Sequence, residues 1–143
     1  MRMIFVNLPV KDLDASMRFF GALGFTFNPN FTDETAACMV IEENIFAMLL
    51  IEEKFRTFIT GEISDATRTT EVLTCLSCDS RQHVDDTLAK AFAAGATSWK
   101  PVMDYGFMYG GSFQDLDGHV WELAWMDPAA SEQGPEARAA EPA

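Results

Sequence analysis

Apolar and polar residues follow a pattern along the chain that repeats once. In the first copy a strand, a helix and a last strand are predicted at residues 4–10, 12–23 and 45–51, and in the second copy the same elements are predicted at residues 72–76, 80–94 and 119–125. Apolar residues recur at helical spacing in both helices, and a glycine follows each one. Two short copies bury little apolar surface alone, so we expect them to form one domain together.

The segments between these elements complete the predicted architecture. Further strands are expected near Phe27, over residues 36–41 and over residues 97–102, with a loop over 103–111. The pattern predicts an α+β fold with two βαβββ modules, approximately residues 1–52 and 71–127. Residues 53–70 are read as a linker within a domain spanning 1–127. The Ala-, Glu- and Pro-rich residues 128–143 are predicted to be a disordered tail.

Composition excludes several classes of function. The chain of 143 residues carries a formal net charge of −12, and 48% of its residues are hydrophobic. This charge repels nucleic-acid phosphates and anionic lipid surfaces, so we expect neither a nucleic-acid partner nor a membrane partner. Because the sequence contains no signal-peptide pattern and no apolar run of membrane-spanning length, we expect a cytoplasmic protein.

The cysteine and histidine residues indicate no recognisable chemical centre. Three cysteines, Cys38, Cys75 and Cys78, form an odd set that suits a reducing compartment. Cys75 and Cys78 have redox-motif spacing but lack its sequence context, so we interpret them as small, semi-buried residues. His83 and His119 share no face, which argues against a histidine-centred metal pair or triad.

Two motifs resemble those of the vicinal oxygen chelate superfamily, which includes glyoxalase I, extradiol dioxygenases and bleomycin-resistance proteins. The first motif is Val10-Lys-Asp12-Leu13 with Ser16-x-x-Phe19-Phe20-x-x-Leu23-Gly24-Phe25, and the second is Phe113-x-Asp115-x-Asp117-Gly118-His119-x-Trp121-Glu122-Leu123. The resemblance extends over residues 3–127. It implies two βαβββ modules that form curved mixed sheets around a cavity, and it implies a homodimer.

The resemblance also implies where a metal would be held, on the first and last strand of each module. By aligning the two copies, these positions fall on Phe5, Met48, Leu73 and Glu122. Phenylalanine and leucine offer no donor, and a thioether is a poor ligand for hard divalent cations. We therefore predict no metal and no cofactor.

The remaining candidates favour a binding protein. Glu122 is a possible base or hydrogen-bond anchor in a largely apolar pocket, or alternatively a structural residue. The side chains predicted to contact a ligand are Phe5, Asn7, Met48, Leu73, Tyr105, Phe107, Tyr109 and Trp121. Aromatic and Met side chains suit a planar, apolar ligand.

We therefore predict metal-independent binding or sequestration of a small hydrophobic or aromatic molecule. The alternatives are a lactoylglutathione lyase-like or dioxygenase-like enzyme that uses Glu122, and a non-catalytic partner protein whose sheet serves for dimerisation.

Overall fold

Two units with the same order of elements follow one another in the computed structural model, which describes residues 1–134. The units divide between Thr69 and Thr70, and they are called module one and module two below. Each contains one main helix and one mixed sheet, which confirms the predicted α+β class with two βαβββ modules.

Module one begins with a strand, which is followed by a helix with a side-chain cap at its N-terminus. Its elements are β1 (Ile4–Val10), α1 (Leu13–Ala22), β2 (Thr26–Asn28), a 3₁₀ turn (Pro29–Phe31), β3 (Ala36–Glu42), β4 (Ile45–Ile51) and the short α2 (Glu52–Arg56). The carboxylate of Asp12 accepts a hydrogen bond from the Ala15 amide at 3.0 Å, which caps α1. The strand order is β1-β4-β3-β2, with β1 and β4 parallel.

Module two repeats this arrangement and adds a hairpin. Its elements are β5 (Leu73–Ser77), α3 (Arg81–Ala93), β6 (Thr97–Ser98), β7 (Met103–Asp104), β8 (Met108–Gln114), β9 (Val120–Met126) and α4 (Pro128–Gln133). The hydroxyl of Ser80 accepts a hydrogen bond from the His83 amide at 3.0 Å and caps α3. The strand order is β5-β9-β8-β6, with β7 paired to β8.

Each module has a core between its helix and one face of its sheet. In module one, α1 packs on β3 and β4, and in module two, α3 packs on β8 and β9. The fully buried core side chains include Val10, Phe20, Met39 and Leu49 in module one, and Val84, Phe113 and Trp121 in module two. The opposite sheet face of each module is therefore left for other contacts.

The parallel ladders of the two sheets have the same register when positions are counted from the helix caps Asp12 and Ser80, which follow Asn7 and Cys75 by the same number of residues. Asn7 pairs with Met48 in the parallel ladder of module one. Cys75 pairs with Glu122 in the equivalent ladder of module two. Met48 and Glu122 therefore occupy equivalent positions, as the alignment of the two copies predicts.

Several boundaries differ from the sequence predictions. The linker begins as helix α2, the strand expected over residues 97–102 contains only Thr97–Ser98, and the loop expected over 103–111 is the β7–β8 hairpin. Glycine-rich composition favoured a loop here, but Gly110 and Gly111 lie in paired positions of β8. Gly111 has a packing reason, because a Cβ atom there would overlap the Leu88 side chain of α3.

The predicted tail also differs at its start. Residues Pro128–Gln133 form α4, and the Ala130 side chain is only 3% exposed. The Asp127 carboxylate caps this helix by accepting a hydrogen bond from the Ala129 amide at 3.0 Å. The rest of the predicted tail, residues 135–143, lies outside the described residues. Within residues 1–134, no helix has both the length and the apolar character needed to cross a bilayer.

Candidate functional site

A cavity of about 690 Å³ lies over the sheet face of module two that α3 does not cover. Strands β5, β8 and β9 form its floor, and residues 100–105 form its rim. The lining residues are Cys75, Lys100, Pro101, Met103, Tyr105, Met108, Gly110, Gly111, Ser112, Glu122, Leu123 and Ala124. The lining is largely apolar with a few polar groups, which is typical of sites for small organic molecules.

Glu122 provides the negative charge in this cavity. Its half-buried side chain lies on β9, directly across from Cys75 on β5 and Ser112 on β8. Within residues 1–134, the Glu122 carboxylate forms no hydrogen bond and no ion pair. The carboxylate is therefore available to accept hydrogen bonds from a ligand.

The thiol of Cys75 lies in the cavity, but it is a poor nucleophile and a poor metal ligand. Burial raises the pKa of the Cys75 thiol, and the negative charge of Glu122 raises this pKa further. The thiol therefore stays protonated at neutral pH, whereas a nucleophile or metal ligand needs the thiolate. Burial likewise raises the pKa of Cys78, with smaller contributions from Asp79 and Cys75. Of the two residues predicted to be semi-buried, Cys78 is half-buried, whereas Cys75 is exposed.

Ser112 connects the floor of the cavity to its rim. Its hydroxyl accepts a hydrogen bond from the Lys100 amide at 3.2 Å, and its side chain is buried. This contact holds the segment that leads from β6 into the rim. Lys100 itself is exposed, and it also lines the cavity.

The second sequence motif has a structural role around Asp115. The buried carboxylate accepts hydrogen bonds from Trp121 Nε1 at 2.9 Å and from the amides of Asp117 at 2.9 Å and His119 at 3.0 Å. Gly118 adopts a φ of +90° in the turn between β8 and β9. Burial raises the pKa of Asp115, while His119 and the bond from Trp121 act in the opposite direction. The motif therefore fixes the turn and holds Trp121 in place.

The structure brings two of the predicted module-two residues into this cavity. Glu122 and Tyr105 both line it. Leu73 lies two residues before Cys75 on β5 and shares its face, but its side chain is 51% exposed and lies outside the lining. The predicted carboxylate and one predicted aromatic ring thus meet in one cavity.

Three other aromatic residues that the sequence predicts to contact a ligand lie outside the lining of this cavity. Trp121 is 1% exposed and lies on the sheet face opposite to Glu122, because adjacent strand residues alternate. Tyr109 also points to the helix side, where its hydroxyl donates a hydrogen bond to Asp85 at 2.6 Å. Phe107 lies in the hairpin, with its ring centroid 6.2 Å from that of Tyr105.

The predicted module-one residues share one face of their own sheet. Phe5 and Asn7 are two residues apart on β1, so their side chains lie on the same face of the sheet, and Asn7 pairs with Met48. The Phe5 ring stacks on the Phe46 ring at a centroid distance of 4.8 Å. Phe5 is 47% exposed, and the Asn7 side-chain amide donates a hydrogen bond to the Phe5 carbonyl at 3.4 Å. This face is apolar and aromatic, with one amide.

The residues at the positions implied for a metal do not fit a divalent cation. Of Phe5, Met48, Leu73 and Glu122, one carries a carboxylate and none an imidazole. The register neighbours of Met48 and Glu122 add the amide of Asn7, the hydroxyl of Ser112 and the thiols of Cys38 and Cys75, and burial raises the pKa of both thiols. In the part of the chain that the structure describes, no group of three His, Cys, Asp or Glu side chains is arranged to hold a metal.

The sequence interpretation missed several lining residues. They are Cys75, Lys100, Pro101, Met103, Met108, Gly110, Gly111, Ser112, Leu123 and Ala124. Cys75 was within reach of the internal repeat, since it occupies the position equivalent to Asn7. Ser112 required the knowledge that residues 108–114 form a strand, because only then do alternate residues share a face.

Comparison with known proteins supports the architecture. The family described as bleomycin resistance protein-like N-terminal matches residues 2–42, within module one. No functionally curated protein matches the sequence.

Solved structures match over nearly the whole chain. A hypothetical protein from S. aureus is 27% identical, with a TM-score of 0.74 over 87% of this chain and 94% of the other. A glyoxalase/bleomycin resistance protein/dioxygenase family enzyme from Burkholderia phytofirmans PsJN is 19% identical, with a TM-score of 0.74 over 88% and 99%. A glyoxalase-related enzyme from Fulvimarina pelagi is 20% identical, with a TM-score of 0.72 over 87% and 88%.

Proposed function

We propose that this chain, whose fold is that of the glyoxalase/bleomycin resistance/dioxygenase superfamily, binds a small, partly hydrophobic molecule in the module-two cavity without a metal ion. One observation carries the proposal. The half-buried carboxylate of Glu122, which has no hydrogen-bond or ion-pair partner among residues 1–134, lies in a cavity lined by Met and Tyr side chains. Such a cavity suits a planar ligand that donates one hydrogen bond.

The size of the cavity fits this class of ligand. Its volume of about 690 Å³ lies within the range of roughly 300–1,000 Å³ that is usual for small-molecule sites. Met103 and Met108 have unbranched, polarisable side chains that adapt to planar apolar groups. Tyr105, which is 53% exposed, offers a ring for stacking at the rim.

The proposal is tested with the neutral fluorescent amine N-phenyl-1-naphthylamine. Protein is titrated into a fixed, low concentration of the probe, with and without EDTA, after elemental analysis of the dialysed protein. Drug-sized ligands gain roughly 0.3 kcal/mol per non-hydrogen atom, so we expect a Kd on the order of 10⁻⁴ M. EDTA should leave this Kd unchanged.

Two variants locate the binding event. Ala124 lies two residues from Glu122 on the same strand face, and Ala124→Phe should fill the cavity and weaken probe binding at least about tenfold. Ala89→Phe adds the same ring on an exposed position of α3 and should leave the Kd unchanged. Equal Kd values in all three proteins, or a Kd that depends on a bound metal, would overturn the proposal.

A glyoxalase- or dioxygenase-like enzyme that uses Glu122 as a base is the second candidate. The unpaired carboxylate in the cavity favours it, whereas the donors around Glu122 do not suit the metal that such enzymes use. The direct test is conversion of the hemithioacetal of methylglyoxal and glutathione, together with oxidation of catechol. We expect no turnover, and a rate that disappears in Glu122→Gln would establish the enzyme instead.

We also propose that the chain forms a homodimer. The first strand of each module is at the edge of its sheet, and both edge strands expose large apolar residues, with Ile4 of β1 at 54% and Leu73 of β5 at 51%. Exposed apolar edges favour association with another chain. Light scattering at micromolar concentration should give twice the monomer mass of 15.9 kDa, and a monomer mass would contradict this proposal.

A further inference from the structure

The rim of the module-two cavity is a short hairpin that has little support of its own. Residues 105–107 connect β7 to β8, and Met103, Tyr105 and Met108 of this hairpin line the cavity. The Tyr105 amide donates a hydrogen bond to the Met108 carbonyl at 2.8 Å, and Gly106 turns the chain with a φ of +81°. These residues are mostly exposed, so a contact from outside the hairpin has to fix its position.

Arg81, the first residue of α3, supplies such a contact for the Asp104–Gly106 side of the turn, while the Asp127 amide donates a hydrogen bond to the Phe107 carbonyl at 2.7 Å on the other side. Its guanidinium donates two parallel hydrogen bonds to the Asp104 carboxylate, at 2.7 and 3.0 Å, and a third to the Gly106 carbonyl at 3.1 Å. The same carboxylate accepts a bond from the Gly106 amide at 2.9 Å. One planar group thus binds the Asp104 carboxylate in a bidentate geometry that lysine does not reproduce, and it also contacts Gly106 in the turn.

The guanidinium is itself held in place by two aromatic rings. Its central carbon lies 5.1 Å from the Tyr109 ring centroid and 5.3 Å from that of Trp125. Tyr109 and Trp125 are cross-strand partners on β8 and β9 and therefore lie on the same sheet face. The Tyr109 hydroxyl is fixed in turn by its bond to Asp85 on α3. The two rings therefore hold the Arg81 guanidinium in the position from which it contacts the hairpin.

We infer that Arg81 is the positioning residue of the binding site. It holds the rim hairpin from the helix side of the sheet, and it thereby sets where Tyr105 and the two methionines meet a ligand that Arg81 itself does not touch. Arg81 is absent from the lining of the cavity. This role rests on the proposed function, because it assigns a determinant of affinity to the same cavity.

Arg81 is expected to affect the order of the hairpin and not the stability of the whole fold. The side chains of Arg81 and Asp104 are 41% and 52% exposed, and an exposed ion pair adds little to the stability of a whole domain. Loss of the pair should therefore loosen the hairpin and leave the core intact. Two measurements are needed, one for the hairpin and one for ligand affinity.

The test compares Arg81→Gln, Asp104→Asn and the double variant with wild type. Lys90→Gln is the matched control, because it removes the same charge from an exposed position of the same helix. Hydrogen exchange of the Tyr105 and Gly106 amides reports on the hairpin. The Kd for N-phenyl-1-naphthylamine reports on the site, and melting temperature reports on the whole fold.

We expect exchange of the hairpin amides to rise about tenfold in either single variant, with exchange in the core of α3 unchanged. Probe affinity should fall about three- to tenfold. The double variant should resemble each single one, because both single variants remove the same contact. Lys90→Gln should match wild type in all three measurements.

Unchanged hairpin exchange in Arg81→Gln would overturn the inference. A loosened hairpin with unchanged probe affinity would also overturn it, as would a loss of affinity that merely follows a fall in melting temperature. Failure of the wild-type protein to bind the probe would contradict the proposed function. In that case a positioning role would be overturned with it, whereas the exchange data would still decide whether Arg81 holds the hairpin.

Discussion

Replacing Trp121 by phenylalanine separates the structural role of this residue from the ligand-binding role that its sequence motif indicated. The indole ring is 1% exposed, and its N–H donates a hydrogen bond to the buried Asp115 carboxylate at 2.9 Å. Phenylalanine retains most of the apolar volume but removes this donor. Asp115 would keep only its two backbone donors.

The expected loss of stability in Trp121→Phe follows from these contacts. A hydrogen bond to a charged group contributes about 1.5–3 kcal/mol, and the smaller ring leaves a partial void that adds about 1 kcal/mol. The sum of about 3 kcal/mol corresponds to a fall in melting temperature of about 10 °C for a chain of this length. Because Trp121 faces away from the cavity, the Kd for N-phenyl-1-naphthylamine should not change.

Trp125→Phe is the matched control, since it makes the same substitution on the same strand. Trp125 is half-buried, and its ring contacts Arg81 at 5.3 Å. Loss of part of a cation–π contact should lower the melting temperature by less than about 4 °C. Thermal unfolding and probe titration of both variants complete the experiment. A Trp121→Phe protein that melts like wild type, or that loses probe affinity at normal stability, would refute the structural assignment of Trp121.

Three further predictions concern other parts of the fold. Gly111→Ala should destabilise module two by about 1–3 kcal/mol in chemical denaturation, because the added Cβ overlaps Leu88, and a variant as stable as wild type would show that α3 shifts freely. Deletion of α4 and the residues after it should lower the melting temperature by about 3 °C, because Ala130 is buried, whereas an unchanged melting temperature would mean that the helix does not dock. Hydrogen bonds from Arg81 hold the pKa of Asp104 below its ordinary range. A depressed pKa stabilises the hairpin above the unfolded-state value, and this stabilisation is lost as pH falls through the folded-state value. Hairpin exchange, corrected for intrinsic rates, should therefore be flat at every pH above the ordinary aspartate pKa of about 3.9 and should rise only below it, and a rise near pH 6 would contradict this assignment.

The repeated pattern of strand, helix and strand was sufficient to predict the fold, because it reflects burial on one sheet face. Residues such as Phe20 and Leu49 are apolar at the spacing that each element requires, and both are buried. The equal register of the two modules explains why aligning the copies paired Met48 with Glu122 correctly. Local capping by Asp12 and Ser80 fixed the starts of both helices.

The cavity was harder to predict, because its lining depends on tertiary contacts. Composition favoured a loop where Gly110 and Gly111 lie. Without a strand over these residues, the sequence could not show which side chains of β8 share a face. The aromatic residues of the second motif suggested a ligand site, yet Trp121 serves the turn around Asp115. Arg81 carries no sequence signal at all, since its partner Asp104 lies 23 residues away.

The most direct test of the central claim uses two probes that differ by a single hydrogen-bond donor. N-phenyl-1-naphthylamine carries one N–H, and 1-phenylnaphthalene has the same ring systems without it. If the unpaired Glu122 carboxylate anchors the ligand, Glu122→Leu should weaken binding of the amine by about tenfold, or 1.4 kcal/mol, and Glu122→Gln should weaken it less. Binding of the hydrocarbon should not weaken in either variant, and melting temperature should stay near that of wild type. Equal affinity of the amine for wild type and both variants, with a large loss of thermal stability, would contradict the claim and make Glu122 a structural residue.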